Sequence, residues 1–356
     1  MSFDIKKLVR PNIEKLKPYS SAKDEFSGEA KILLDANENS LGSPLTTWYN
    51  RYPDPMQMKI KDKLSFIKKV PATQIFIGNG SDECIDLLYR SFCEPGKDNV
   101  IICPPTYGMY EVSANINNVE IRTAPLLPDF QLNMAHIEQL VDAQTKIIWI
   151  CSPNNPTGNS LHVLDIEMVL NNFNGLVVVD EAYINFSQQK SFIQSLVDYP
   201  NLVVLQTLSK AWGLAGLRIG ICFANEPVIE YLNKVKPPYN INIASQQLAI
   251  KALEEVGQVN DMIQHLVEMR EALAEVLLSM PGILQVYPSD TNFLLVKVQN
   301  ATQLYQYLLT QGIVVRDRSN VEFCEDCLRI TIGTESENTH LVDAIAQWLG
   351  ITPDNA

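Results

Sequence analysis

Lys210 stands in the run Thr207-Leu208-Ser209-Lys210-Ala211-Trp212-Gly213-Leu214-Ala215-Gly216-Leu217-Arg218, and a lysine in such a setting can do covalent chemistry. Its amine condenses with an aldehyde when neutral, and a neighbouring cation lowers its pKa so that more of it is neutral. Arg218 is the candidate for that cation. The small hydroxyls of Thr207 and Ser209 and the glycines at 213 and 216 let backbone approach a bulky anionic ligand closely. Together they describe a site for a phosphate-bearing aldehyde, against the plainer alternative of a solvated surface lysine. A second signal is Asp180, at the end of Leu176-Val177-Val178-Val179. So continuous an apolar run reads as a strand covered on both faces, and a carboxylate at its end is a buried charge that needs a cationic partner. A magnesium-binding aspartate would need a glycine-rich phosphate loop ending in Gly-Lys-Ser/Thr, which the chain lacks.

These residues need a scaffold, and the pattern supplies one. Residues 202–205 form a buried strand, so Lys210 falls just past a strand's carboxyl end, where open α/β sheets gather ligands. The strand 74–78 leads through Asn79-Gly80-Ser81-Asp82-Glu83 into a helix running to about residue 93. That turn is either an anion site at a helix N-terminus or an ordinary cap at Ser81 or Asp82. After a strand at 99–103, Pro104 and Pro105 stiffen the chain that aims Tyr107. A strand at 146–151 ends in Ser152-Pro153-Asn154-Asn155-Pro156, where Asn155 is held extended before a proline. Further strands are expected at 120–124 and 219–224, with helices at 59–69, 134–141 and 259–280. In the last third, Arg329 lies in an alternating apolar strand and Arg316 in Val314-Val315-Arg316-Asp317-Arg318. Such arginines face either solvent or a cleft, where guanidinium is the preferred fork for carboxylate or phosphate. Tyr19, the turn around Asn37 and the turn Tyr52-Pro53-Asp54-Pro55 complete the candidates.

With 356 residues, the chain is long for one core, so two domains are expected. We divide it into an N-terminal arm (1–45) that joins the small domain, a large domain (46–258) and a small C-terminal domain (259–356). A net charge of −13 disfavours a nucleic-acid surface, so any anionic ligand must be captured by a few local cations. No apolar run is long enough for a membrane helix, and Asp4, Lys6, Lys7 and Arg10 occupy the place of a signal peptide's apolar core; a cytoplasmic location is expected. Seven scattered cysteines fit reduced thiols. Cys324 and Cys327 make a single C-x-x-C without a second pair, so no metal is expected and we read them as strand-end packing residues.

The Lys210 run, Pro104-Pro105-Thr106-Tyr107-Gly108-Met109-Tyr110 and Leu176–Tyr183 occur in the order found in pyridoxal-phosphate (PLP) aminotransferases of fold type I, which the chain resembles from Tyr19 to Gly333. The Lys210 run and the wording around Arg316 look most like the histidinol-phosphate branch. The resemblance implies an α/β fold: a large domain with a mostly parallel central sheet flanked by helices, plus a smaller α+β domain. It implies PLP held by Lys210 and cradled at its phosphate by Gly80, Ser81 and Asp82, with Thr207, Ser209 and Arg218 also binding the cofactor. Ser81 departs from the alanine common in the family. Tyr107 would stack on the ring, Asn155 and Tyr183 would meet its phenolate oxygen, and Asp180 would pair with its protonated nitrogen. Tyr52 would reach the partner's cofactor phosphate in a homodimer. Tyr19, Asn37, Arg316 and Arg329 would contact substrate. The implied reaction moves the amino group of L-histidinol phosphate to 2-oxoglutarate, within histidine biosynthesis. An aromatic amino acid aminotransferase and a threonine-phosphate decarboxylase remain open on the same scaffold, as does a non-catalytic PLP-binding regulator.

Overall fold

The computed structural model describes residues 3–18, 32 and 34–351. Among them, strands β1 (Ile75–Asn79), β2 (Asn99–Ile102), β3 (Glu120–Thr123), β4 (Thr145–Cys151), β5 (Leu176–Asp180), β6 (Leu202–Thr207) and β7 (Ile219–Ala224) form one sheet in the order β1-β7-β6-β5-β4-β2-β3. Pairing is parallel from β3 to β6, while β7 runs antiparallel to both β6 and β1. The carboxyl ends of β1, β2, β4, β5 and β6 and the amino end of β7 therefore share one edge of the sheet. Every strand-end residue singled out in the sequence of the large domain emerges there.

The apolar runs explain why the sheet lies in the middle. Successive side chains point to opposite faces, so Val177 and Val179 enter one core with Ile148, Ile150 and Val204. Leu176 and Val178 enter the other with Trp149, Val203 and Leu205. Each is fully or almost fully buried, and burial of a Val, Leu or Ile contributes roughly 1.5–3 kcal/mol. Helices cover both faces, as a mostly parallel sheet requires.

Strands β8 (Ile283–Val286), β9 (Phe293–Val298), β10 (Arg316–Asp317) and β11 (Cys327–Thr331) form an antiparallel sheet in the order β10-β11-β9-β8. Its core joins Leu294, Val296, Leu328 and Ile330 to Leu304, Leu308, Leu341 and Ile345 of the helices Ala301–Thr310 and Glu335–Trp348. The 23-residue helix Val256–Leu278 belongs to both domains. Val259 sits in the large core, and Leu273 and Leu277 sit in the small one. The passage between cores thus falls inside this helix, not at its start. Arg270, buried within it, donates from Nη1 to the Thr291 carbonyl at 2.9 Å.

The N-terminal segment departs from expectation. Leu8, Val9 and Ile13 pack into the large domain's core beside Tyr89 and Phe92, and the Arg10 amide donates to the Ser91 carbonyl at 3.0 Å. Residues 3–18 thus join the large domain. Their apolar side chains join the cluster that contains Leu88, Tyr89 and Phe92 of the helix Ser81–Phe92.

Candidate active site

One cleft of about 680 Å³ gathers most of the predicted residues: Ser81, Asp82, Tyr107, Asn155, Asp180, Tyr183, Thr207, Ser209, Lys210, Arg218, Arg316 and Arg329. Strand ends of the large sheet supply one wall, and β10, β11 and the loop between them supply the other. Arg318, which the sequence reading passed over, also lines it. Five cationic side chains (Lys210, Arg218, Arg316, Arg318 and Arg329) face two carboxylates (Asp82 and Asp180). In a chain of net charge −13, this is a local reversal of sign that favours an anionic ligand.

At the inner end lies Asp180, the last residue of β5 and 2% exposed. Its Oδ2 accepts from the Tyr110 hydroxyl at 2.7 Å and its Oδ1 from the Ala182 amide at 3.1 Å. Burial pushes the carboxyl up to about 6, while these two donations pull it back down. A cation brought against it would stabilise the ionised form further.

Lys210 follows β6 by three residues and opens onto the cleft. Its Nζ lies 5.6 Å from the centroid of the Tyr183 ring, and that ring packs edge-on against Phe293. Desolvation lowers the Lys210 pKa first, and the Arg329 guanidinium lowers it next. Arg218, the candidate cation, acts in the same direction and contributes less than Arg329. Arg218 is half in solvent, where its charge is screened, and its Nη2 lies 3.3 Å from Asp82 Oδ2, a carboxylate that raises the Lys210 pKa.

Around the opening of the helix Ser81–Phe92, the chain is drawn tight. Gly80 takes φ +78° and caps the helix without any side-chain hydrogen bond, so the first-turn N–H groups have no capping side chain. A Cβ on Gly80 would lie 2.5 Å from Arg218 Nη2, and one on Gly220 would lie 2.2 Å from Ser81 N. The Gly80 amide donates to the Arg218 carbonyl at 2.7 Å, and Arg218 itself is left-handed at φ 57°, a conformation that costs about 1 kcal/mol or more for a side-chain-bearing residue. Thr207 Oγ1 donates to Ser209 Oγ at 2.9 Å. An uncapped helix N-terminus, an arginine and a serine at one corner fit a phosphate group. The buried carboxylate and the lysine fit the rest of a pyridine aldehyde.

Tyr107 donates its hydroxyl to Asp82 Oδ1 at 3.0 Å, and its ring meets Tyr110 edge-on. Arg329 Nη1 donates to Asn155 Oδ1, tying the small domain to the large one and leaving the Asn155 Nδ2 donors for another acceptor. Arg329 also lies over the Phe293 ring at 5.3 Å. Across the β10–β11 ladder, Arg316 sits directly opposite Arg329.

Three predicted residues do not line this cleft: Gly80 stands just behind Ser81, and the other two lie apart. Asn37 and Tyr52 border a separate cavity of about 630 Å³ with Tyr239 and Asn242, where Tyr52 stacks on Tyr239 at 4.5 Å. Tyr19 lies outside the described residues. Cys324 and Cys327 are fully buried at the start of β11, and burial raises both thiols, to about 12 and about 11. Among the described residues, no group of His, Cys, Asp or Glu could hold a metal, and no helix is long and apolar enough to cross a membrane. Sequence reasoning missed Tyr110 and Arg318. The first is in the quoted Pro-Pro-Thr-Tyr-Gly-Met-Tyr motif, and the second is two residues from Arg316.

Residues 46–345 match the family model for aminotransferase class I and II. The chain is 50% identical to the histidinol-phosphate aminotransferase of Cytophaga hutchinsonii over 348 residues, covering 98% of this chain and 100% of that one. It is 52% identical to that of Parabacteroides distasonis over 342 residues, covering 96% and 98%. Among solved structures, histidinol-phosphate aminotransferase from Sinorhizobium meliloti in complex with pyridoxal 5'-phosphate superposes with a TM-score of 0.78 at 22% identity, covering 88% of this chain and 90% of that one.

Proposed function

Because the chain belongs to the aminotransferase class I and II family, we propose that it is a PLP-dependent enzyme of histidine biosynthesis, transferring the amino group of L-histidinol phosphate to 2-oxoglutarate to give imidazole-acetol phosphate and glutamate. One observation carries this: a lysine of lowered pKa and a buried carboxylate open onto one cleft in which cations outnumber carboxylates. PLP supplies, when bound, a ring that withdraws electrons from the substrate carbon.

The residues divide that work. Lys210 Nζ would hold the cofactor's aldehyde carbon and, once freed, would carry the proton at the substrate Cα, a task for which a lowered pKa keeps the amine basic but uncharged. Asp180 would keep the ring nitrogen protonated with its carboxylate. Tyr107 would pack on the ring face, and the Asn155 amide and Tyr183 hydroxyl would meet the phenolate oxygen. Gly80, Ser81, Asp82, Thr207, Ser209 and Arg218 would hold the phosphate. Arg329 and Arg316, which both line the cleft, would receive the anionic ends of the substrates.

We assign Tyr52 to the active site of a second copy in a homodimer. Its half-exposed ring and its place outside this protomer's cleft support that assignment. The seven free thiols suit a cytoplasmic enzyme.

A panel of amino donors with 2-oxoglutarate tests the substrate assignment. L-histidinol phosphate should exceed phenylalanine and tyrosine in kcat/KM by at least about tenfold, the scale of one well-placed charged contact. Threonine phosphate should release no carbon dioxide. Equal rates with the aromatic donors, or carbon dioxide release, would replace histidinol phosphate as the substrate.

A further inference from the structure

Tyr110 does not line the cleft. It is fully buried behind it, in the helix Met109–Ile116. Its ring is stacked on Trp149 at 4.9 Å and 14° on one side and met edge-on by Tyr107 at 5.6 Å on another. Its backbone is also held, because the Tyr89 hydroxyl donates to the Tyr110 carbonyl at 2.9 Å. A ring clamped in this way has one place to put its hydroxyl, and that place is 2.7 Å from Asp180 Oδ2.

Asp180 needs such a donor. Among the described residues, its carboxylate accepts from the Tyr110 hydroxyl and the Ala182 amide. The charged groups facing it are Asp82, which opposes its ionisation, and Lys210, which favours it. The remaining titratable neighbours are Cys84, Cys151, Tyr107 and Tyr183, and burial pushes each of them up and keeps it neutral. A donor to the charged form both stabilises the charge and fixes which lone pairs remain free.

We propose that Tyr110 is a positioning residue for the reaction, its buried hydroxyl holding Asp180 in the orientation and charge state that the cofactor's ring nitrogen requires. This rests on the assignment of Asp180 as the partner of that nitrogen. Tyr110 touches neither substrate nor cofactor, and it acts only through the carboxylate.

The test is a double-mutant cycle on cofactor binding to the ligand-free protein, using Y110F, D180N and the double variant. PLP is titrated and followed by its absorbance from about pH 5.5 to 8.5, with thermal unfolding of each variant alongside. Y110F keeps the ring between Trp149 and Tyr107, so its melting profile should stay near that of the unaltered protein. Its PLP affinity should fall roughly ten- to a hundredfold, the range for a hydrogen bond to a charged acceptor. The pH at which binding is half lost should move upward, and Y110F should add nothing once Asp180 is asparagine. Unchanged affinity and pH profile in Y110F, with D180N weakened, would overturn the role of Tyr110 and leave the assignment of Asp180 standing. An equal loss on both backgrounds would reduce Tyr110 to packing and also overturn the proposal. Full affinity in D180N would remove the assignment of Asp180, and the proposal with it.

Discussion

The two ends of the cleft are built on opposite electrostatic plans. At the Asp180 end, the protein has satisfied its own charge: a carboxylate on the central sheet, with a tyrosine hydroxyl and a backbone amide already in place. At the arginine end, it has not. Arg316 stands opposite Arg329 in the ladder, Arg318 Nε is buried without a hydrogen-bond partner, and among the described residues none of the three makes an ion pair. Desolvation lowers the Arg329 pKa, and Arg318 lowers it further. Like charges placed directly opposite across a sheet are destabilising. They persist where a ligand completes them. The finished end suits a group that stays bound, and the unfinished end suits anions that come and go.

Lys210 stands between the two plans, and its removal should have the largest effect. Lys210→Ala should abolish borohydride-trapped covalent PLP and lower turnover by about 10³-fold or more, the scale of a lost proton carrier. Full activity would refute the covalent role and the comparison together. Arg329→Ala should lower kcat/KM by roughly 10²–10³-fold, as expected when one member of a charge pair is removed, while thermal stability holds or rises because repulsion with Arg316 and Arg318 is relieved. A clear loss of stability in calorimetry would mean that the arginine end is not the strained one.

Next in size is an effect at the finished end. Glu181, 1% exposed beside Asp180, accepts from the Phe192 amide at 2.6 Å, Gln206 Nε2 at 2.9 Å and the Ser191 hydroxyl. Burial nevertheless pushes its carboxyl up to about 7. Its folded pKa lies above the unfolded value of about 4.3. Its stabilising contribution is therefore fully present below about pH 4.3 and is lost as pH rises through about 7, a change on the order of 3–4 kcal/mol. Asp180 shifts in the same sense and does so in both proteins, so the difference between unaltered protein and Glu181→Gln isolates Glu181. The fall in melting temperature of the ligand-free protein between pH 5 and pH 8 should shrink in the variant. An unchanged fall would show that Glu181 does not titrate in this window.

Legibility in the sequence followed the same division. Lys210, Asp180, Asn155 and the Gly80 turn could be read because each sits at the end of a buried apolar strand, and the rule for strand ends places them on one edge. Tyr110 could not, because its partner is 70 residues away and an aromatic near prolines reads equally well as core. The bond from Arg329 to Asn155 spans 174 residues and depends on how two domains meet. Arg218 could be read as a cation near Lys210, but nothing local reveals its contact with Asp82, 136 residues before it. Strand direction was also hidden: β7 has the same apolar run as its parallel neighbours.

The smallest effect tests what the third arginine is for. Arg316 and Arg329 suffice for a singly charged carboxylate, which a single guanidinium can hold in a bidentate pair. Arg318 adds a third charge beside them, with a buried Nε that has no acceptor among the described residues. A phosphate monoester presents more acceptor oxygens and up to two charges at neutral pH, and so can use the extra donor. Arg318→Ala should therefore raise KM for a phosphate-bearing donor by about tenfold, the size of one charge-assisted hydrogen bond, and raise KM for 2-oxoglutarate much less. Steady-state kinetics on both substrates gives the ratio. Equal increases would make Arg318 a general contributor to the positive field, and the arginine end would then attract anions without distinguishing between them.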